Sequence, residues 1–339
     1  MKIFSWYILV FIFFACNPPK RETLKIAQLK PGKIIILNEG GFTYDNASLD
    51  IYNPDTDSIF NNQFEAVNLK KLGDVAQSIS KIDGNLWIVV NNSGKIFICD
   101  TSLKILKEIT GLNSPRYACK VSNEKIYVTD LYANSIHIFN AKTFEKSGNI
   151  PLKGWSEELI RFNDSLVIVT NMRSNYLYFL NSSSDRIVDS LKVSIGGSSL
   201  KKDKFGFVWV ACQGDEKTAF SIYRLDILKK EITKTWRHSK EITFNPKLCF
   251  NPTLDTLYWI ESGLKRNTIS SLEYPAQNFY NVQNTNLYGL GIDSSRNEIY
   301  VLDAKDFNQN GEMLRLNTNG TLISKKRTGV IPNGILPFF

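Results

Sequence analysis

The chain has 339 residues, with 41 Lys and Arg against 33 Asp and Glu, a formal net charge of +8, and 21 Phe, 14 Tyr and 6 Trp. The positive excess is scattered in small clusters such as Lys201-Lys202 and Lys325-Lys326-Arg327, with no basic stripe interleaved with aromatics, which argues against nucleic acid as a partner. Only two histidines occur, His137 and His238; neither has a second His or Cys at metal-ligand spacing, and no GxSxG elbow is present.

Residues 1–15 read as an export signal: Lys2 gives a positive start, and 3–15 is mostly apolar, too short for the ~20 residues a bilayer span needs. Ala15-Cys16 resembles the lipobox of bacterial lipoproteins, which would make Cys16 the lipidated first residue; an ordinary secretory peptide with an incidental Cys is the alternative. Residues 16–32, polar and carrying Pro18-Pro19, are expected to be a tether.

The remainder, 33–339, is organised around one stretch that the rest copies. Residues 86–90 are a continuous apolar run, 91–94 (Asn-Asn-Ser-Gly) a turn, 95–100 an alternating strand, 100–102 another turn and 103–109 a third strand. Similar phrases occupy 126–150 and 166–191, and weaker ones begin at Ile34, Val208, Leu257 and Ile299. The seven anchors are spaced by 52, 40, 40, 42, 49 and 42 residues, the period of a β-propeller. Short segments at 77–83, 116–122, 157–163, 198–204, 246–252 and 287–293 would be innermost strands of the later blades. The last such segment, 332–339, has no outer strands after it, and the first unit has no inner strand before it. Pairing the two would complete an all-β, seven-bladed β-propeller and leave no open sheet edge between the ends.

Residues 306–311 imitate the start of a calcium loop, but Asn317 stands where its twelfth-position Glu belongs, so a hairpin with Asn310-Gly311 as its turn is expected. Cys99, Cys119, Cys212 and Cys249 form no CxxC and read as small buried side chains; the exported compartment would permit a disulfide.

In such a fold the loops after the second strands and the starts of the inner strands share one face. Here they concentrate Asn38, Phe42, Tyr44, Asn91, Asp130, Tyr132, Asn171, Arg173, Tyr176, Gln213, Asp303 and Phe307 from the loops, with Gln77, Arg116, Tyr117, Glu157 and Tyr288 from the inner strands. Polar residues belong in any turn, but clustered aromatics on one face mark a binding mouth. The expected roles are packing for Phe42, Tyr44, Tyr132 and Tyr176, amide hydrogen bonds for Asn38, Gln77, Asn91 and Asn171, and orientation of polar groups for Arg116, Asp130, Arg173 and Asp303.

The phrases NEGGFTYDNASLDIYNP, LGDVAQS, IVVNNSGKI, GLNSPRYA, YVTDLYANSI and LYGLGIDSSRNEIYVLDAKDFNQNGEMLRLNTNG resemble the YncE-like seven-bladed propeller lipoproteins of Gram-negative outer membranes. Within that group the chain is similar to the DUF5074-type surface proteins, some of which bind cobalamin and hand it to a TonB-dependent receptor. The resemblance implies a binding protein rather than an enzyme, needing no cofactor or metal. Its expected partners are a small-molecule ligand, a corrinoid above all, and a TonB-dependent outer-membrane receptor. It also implies an outer-membrane location through a lipid anchor alone, on the cell surface or on the periplasmic face. Two other functions fit the same fold: an envelope protein–protein scaffold, or a hydrolase or lactonase using Glu157-Glu158 or the acidic residues of 303–306.

Overall fold

The second strand of the best-formed unit, Asn85–Val90, is apolar at every position from Leu86 to Val90 because both of its faces are buried. Leu86, Ile88 and Val90 pack with Ile35, Leu37, Leu49 and Ile51 of the preceding sheet. Trp87 and Val89 point the other way, to Ile126, Val128 and Phe139 of the next. In the computed structural model, which describes residues 26–240, 246–281 and 283–339, this pattern recurs until seven apolar layers separate seven sheets. The expected signal at 1–15, Cys16 and most of the expected tether lie outside the described residues. Of the tether's end, Ala27 and Leu29 pack on the core between blades 1 and 2, and the Ala27 N–H donates to Gln63 Oε1 at 2.7 Å.

The sheets form a seven-bladed β-propeller. Its inner strands are Pro332–Phe338, Ala76–Ile82, Pro115–Lys120, Ser156–Arg161, Gly197–Lys202, Leu248–Phe250 and Leu287–Asp293, for blades 1 to 7 in that order. Blade 1 joins the chain ends: Pro332–Phe338 pairs antiparallel with Lys33–Asn38, which continues into Ser48–Asn53 and Ser58–Phe60. The layer between blades 7 and 1, where Tyr300, Leu302 and Met313 meet Ile34, Ile36 and Tyr52, completes the ring.

Three features depart from the repeat. The 52-residue first spacing holds a short helix, Gln63–Asn68, whose Phe64 is buried against Phe97 with ring centroids 4.8 Å apart. Among the described residues blade 6 has three strands, Leu248–Phe250, Thr256–Ile260 and Leu264–Thr268. The hairpin at 303–311 forms, but Asn310-Gly311 is not its turn. Asn310–Leu316 is already strand, and the turn runs over 304–309, where Asp306 Oδ1 accepts the Asn308 and Gln309 N–H groups at 3.0 and 2.9 Å. Gly311 instead answers a close approach, since a Cβ there would lie 2.6 Å from the Asp303 carbonyl oxygen. The described cysteines, Cys99, Cys119, Cys212 and Cys249, are all unpaired. No helix among the described residues is long and apolar enough to cross a membrane.

Candidate functional site

Six of the seven inner strands carry a β-bulge at the same place, where the strand starts. A bulge inserts an extra residue and re-aims its side chain. The second residue of each inner strand thereby becomes one member of a polar ring: Gln77, Arg116, Glu157, Ser198, Tyr288 and Asn333. Lys247, just before its strand, is the blade 6 counterpart.

The ring is held together by its own bonds. Arg116 Nε and Nη2 donate to the two Glu157 carboxylate oxygens at 2.7 Å each, and Nη1 donates to Gln77 Oε1. Both members of this ion pair are buried; the Arg116 side chain is 10 % exposed and that of Glu157 1 %. Burial opposes the Arg116 charge, but the Glu157 carboxylate beside it outweighs that and raises the guanidinium above its ordinary value. On the other side of the ring, Asn333 Nδ2 donates to Glu39, and the Tyr288 hydroxyl lies 3.4 Å from both Glu39 oxygens. Burial raises the Glu39 carboxyl, an effect only partly offset by Lys247, Asn333 and Arg116. Glu39 and burial together push the Tyr288 hydroxyl well above its usual range. Tyr117 sits beneath, its hydroxyl 3.4 Å from Gln77 Nε2. Of the expected site residues, Gln77, Arg116, Tyr117, Glu157 and Tyr288 are thus brought together. Glu39, Ser198, Lys247 and Asn333 join them, and turn composition does not reveal these four. The signal that finds Ser198, Lys247 and Asn333 is their shared column when the inner-strand segments are aligned on their first residue.

A second column behaves differently. The residues that close the second strands, Asn38, Asn91, Asp130, Asn171 and Asp303, were expected to meet a ligand, but they turn to their own chain. Asn91 Nδ2 donates to Ser114 Oγ at 2.7 Å and to the Pro115 carbonyl at 3.1 Å. Asp130 accepts the N–H groups of Ser114, Tyr132 and Ala133, each at 3.0 Å, and lies 3.2 Å from His137 Nε2. Asn171 Oδ1 accepts the Trp155 and Arg173 N–H groups at 3.1 and 3.0 Å. Asp303 accepts those of Asn286 and Lys305 at 2.9 and 2.8 Å. Asn38 Nδ2 donates to Ser48 Oγ at 3.0 Å and Asp50 Oδ2 at 2.9 Å. Backbone groups where two chain segments meet under a loop need partners, and Asn91, Asp130, Asn171 and Asp303 supply them, while Asn38 ties two side chains of the neighbouring strand. Their contribution to a mouth is to fix the loops around it.

Asp130 is the most heavily used of these staples. Burial alone would raise its carboxyl; hydrogen bonds from His137, Ser114 and Tyr132 outweigh that and hold it below its ordinary value. The folded value lies below the unfolded one, near about 4, so the stabilisation is present above that pH and is lost as pH falls through the folded value. Asp130→Ala is expected to lower stability by about 2–4 kcal/mol at neutral pH. Urea unfolding of the variant and the native chain at pH 7 and again near pH 3 should show that penalty shrinking in acid.

Above the ring, on the side of the second-strand exits, lies an open basin of about 770 Å³. It is bounded by Trp155 and Met172 of blade 4, Gln213 of blade 5, Glu261 and Ser262 of blade 6, and Asn286, Tyr288 and Phe307 of blade 7. Trp155 is fixed from two sides: Tyr132 meets it edge-on at 5.8 Å, and the Arg173 guanidinium lies 3.8 Å from its ring centre. Phe307 stands edge-on to Tyr288 at 5.5 Å. Glu261 is held by His238 Nε2 at 2.9 Å and by the Tyr274 hydroxyl. Gln213, Tyr288 and Phe307 therefore line the basin as expected, with Tyr132 and Arg173 supporting its wall. Phe42, Tyr44 and Tyr176 are exposed but are not part of its lining. Met172 and Glu261 complete the lining from the exits of blades 4 and 6.

Of the two acidic groups a hydrolytic reading would use, Glu157-Glu158 is engaged in ion pairs, Glu157 with Arg116 and Glu158 with Lys201 Nζ at 2.7 Å, and Glu158 also accepts from Ser199 Oγ at 2.7 Å. Among the described residues no three His, Cys, Asp or Glu side chains converge as a metal site.

Fold and site define a seven-bladed β-propeller with a polar ring beneath an aromatic-walled basin. The chain belongs to the DUF5074 family, a domain of unknown function, whose family pattern matches residues 32–328. No curated protein matches it in sequence. Among solved structures it is similar to a quinonprotein alcohol dehydrogenase-like protein from Bacteroides thetaiotaomicron VPI-5482, with TM-score 0.67 and 13 % identity over 90 % of this chain and 78 % of that one. It is also similar to a functionally unknown protein from Desulfotomaculum acetoxidans DSM 771, with TM-score 0.65 and 9 % identity over 90 % of this chain and 98 % of that one. A third is the dihydro-heme d1 dehydrogenase NirN, with TM-score 0.61 and 9 % identity over 96 % and 78 % of the two chains. At these identities the likeness is one of fold.

Proposed function

We propose that the protein is an outer-membrane lipoprotein, anchored through Cys16, that captures a nutrient in the basin and passes it to a TonB-dependent receptor. The nutrient is a corrinoid, with cobalamin the leading member of that class. The observation that carries the reading is the basin itself. Its volume of about 770 Å³ lies within the range of small-molecule sites, and its open side admits one face of a large solute. A corrinoid is an apolar-faced macrocycle rimmed with amides. Trp155, Tyr288, Phe307 and Met172 offer area to its face, while Gln213, Asn286 and Ser262 offer donors and acceptors to its edge. The ring below, laced by its own hydrogen bonds, makes the basin a seat with a floor. A seat open to the same side on which the ligand arrives suits hand-over to a receptor docked there.

Calorimetric titration with cyanocobalamin tests the reading. Saturable one-to-one binding is expected, and Trp155→Ala should weaken it at least tenfold, since a rigid aromatic held on two sides is the kind of anchor that dominates an interface. Phe205→Ala, an exposed aromatic on the opposite loops, should leave affinity unchanged. No binding of cyanocobalamin or cobinamide, or equal binding by the Trp155 variant, would reject the basin as a corrinoid seat.

A further inference from the structure

Three tryptophans in the layer between blades 5 and 6 stand ring to ring. Trp209 and Trp236 have centroids 4.5 Å apart, and Trp236 stacks on Trp259 at 5.9 Å with ring planes 24° apart. Trp259 in turn meets Tyr274 edge-on at 5.8 Å. The three indoles are fully buried and Tyr274 is half-buried. Every polar ring atom of the series has a partner. Trp209 Nε1 donates to Asp203 Oδ2 at 2.9 Å, a carboxylate whose charge Arg224 offsets. Trp236 Nε1 donates to the Ser271 carbonyl at 3.1 Å and Trp259 Nε1 to the Tyr274 hydroxyl at 3.4 Å. The Tyr274 hydroxyl donates to Glu261 Oε2. Burial and that carboxylate push the phenol well above its usual range, so it is protonated at rest. Filling an apolar layer calls for none of this. Trp87, between blades 2 and 3, packs against Phe139 and Phe144, and its Nε1 has no partner among the described residues.

Indoles and phenols give up an electron more readily than other rings, and transfer between rings in contact outpaces radical decay. A phenol is oxidised more easily than an indole when a base takes its proton. We propose that Trp209, Trp236, Trp259 and Tyr274 form a one-electron relay that carries an oxidising equivalent out of the core to Tyr274. A one-electron oxidant removes an electron from one of the three indoles and is itself reduced. Each indole radical cation is refilled by its neighbour until Tyr274 supplies the electron and passes its phenol proton to Glu261. The end state is a neutral Tyr274 radical and a protonated Glu261, with all three indoles restored. Glu261 lines the basin, so the oxidising equivalent comes to rest beside solvent rather than in the core. The relay does not depend on what the basin holds.

Laser photoionisation of the tryptophans, with a cobalt(III) ammine complex taking up the ejected electron, tests the relay by transient absorption. Tyr132→Phe is the starting chain, because Tyr132 against Trp155 is the other tyrosine in ring contact with a tryptophan among the described residues. There the indolyl signal should decay into a phenoxyl signal. Adding Tyr274→Phe should lower the phenoxyl yield at least fivefold and lengthen the indolyl lifetime. Trp236→Phe, which cuts off Trp209 but leaves Trp259 and Tyr274 in place, should lower that yield by more than half. Glu261→Gln, which keeps the shape and removes the base, should slow phenoxyl formation at least tenfold. Tyr274→Phe, at the half-buried end of the series, carries the test if the Trp236 variant does not fold. The proposal is overturned if no phenoxyl forms, if it forms equally without Tyr274, or if the Trp236 or Glu261 variant folds and leaves yield and rate unchanged.

Discussion

A chain ending at residue 331 is expected not to fold. The missing residues are the inner strand of blade 1, and their loss leaves Lys33–Asn38 without its partner on the channel side. It also removes Asn333 from the ring and Phe338, 4 % exposed, from the core between blades 1 and 2. The ring would then present an open edge with unpaired backbone groups, a template for aggregation. A milder version quantifies the same joint: Phe338→Ala should lower stability by about 3–4 kcal/mol. Circular dichroism melts and size-exclusion profiles decide. A truncated chain that melts cooperatively as a monomer would mean that the ends are not what holds the wheel together.

The second large effect concerns the floor of the basin. Arg116→Met removes the guanidinium that holds both Glu157 oxygens, and the buried carboxylate loses its bidentate partner. Breaking one side of a buried ion pair costs about 3–5 kcal/mol, whereas replacing both sides with apolar groups is far milder. The expected order in urea unfolding is therefore native above the double variant Arg116→Met/Glu157→Leu, which in turn lies above Arg116→Met alone. The coupling between the two positions should exceed about 1 kcal/mol. A single variant within 0.5 kcal/mol of native, a bound set on the scale of ordinary surface substitutions, would mean that water already solvates the pair and the ring is not a sealed floor.

The two effects differ in how visible they are in the sequence. Ring closure is legible because the second strands, such as Leu86 to Val90, are apolar on both faces and so demand a sheet on either side, and because 332–339 reads as an inner strand that matches the unit at Ile34, the one whose inner strand is missing from the repeat. The floor is half legible. Arg116 and Glu157 stand out as charges at strand starts, but Lys247 and Asn333 look ordinary until the seven segments are aligned, and Glu39 comes from a loop in another column. The staples Asn91, Asp130 and Asn171 mislead for a physical reason. A turn residue that binds a ligand and one that binds its own backbone are the same residue types, and only the direction of the side chain separates them. Phe42, Tyr44 and Tyr176 illustrate the same limit, because the sequence places them on the right loops without saying toward which side of the loop they face. The helix Gln63–Asn68 is visible only as surplus length, the 52-residue first spacing.

The central claim, that the basin face of a closed wheel grips a solute, is tested most directly by hydrogen–deuterium exchange of the protein with and without saturating cyanocobalamin. The account predicts slowed exchange in the segments that carry Trp155, Met172, Gln213, Glu261 and Phe307, and unchanged exchange in the outer strands of blades 1 and 2. Slowing confined to the outer strands, or none at any segment under conditions where the ligand is in large excess, would contradict it.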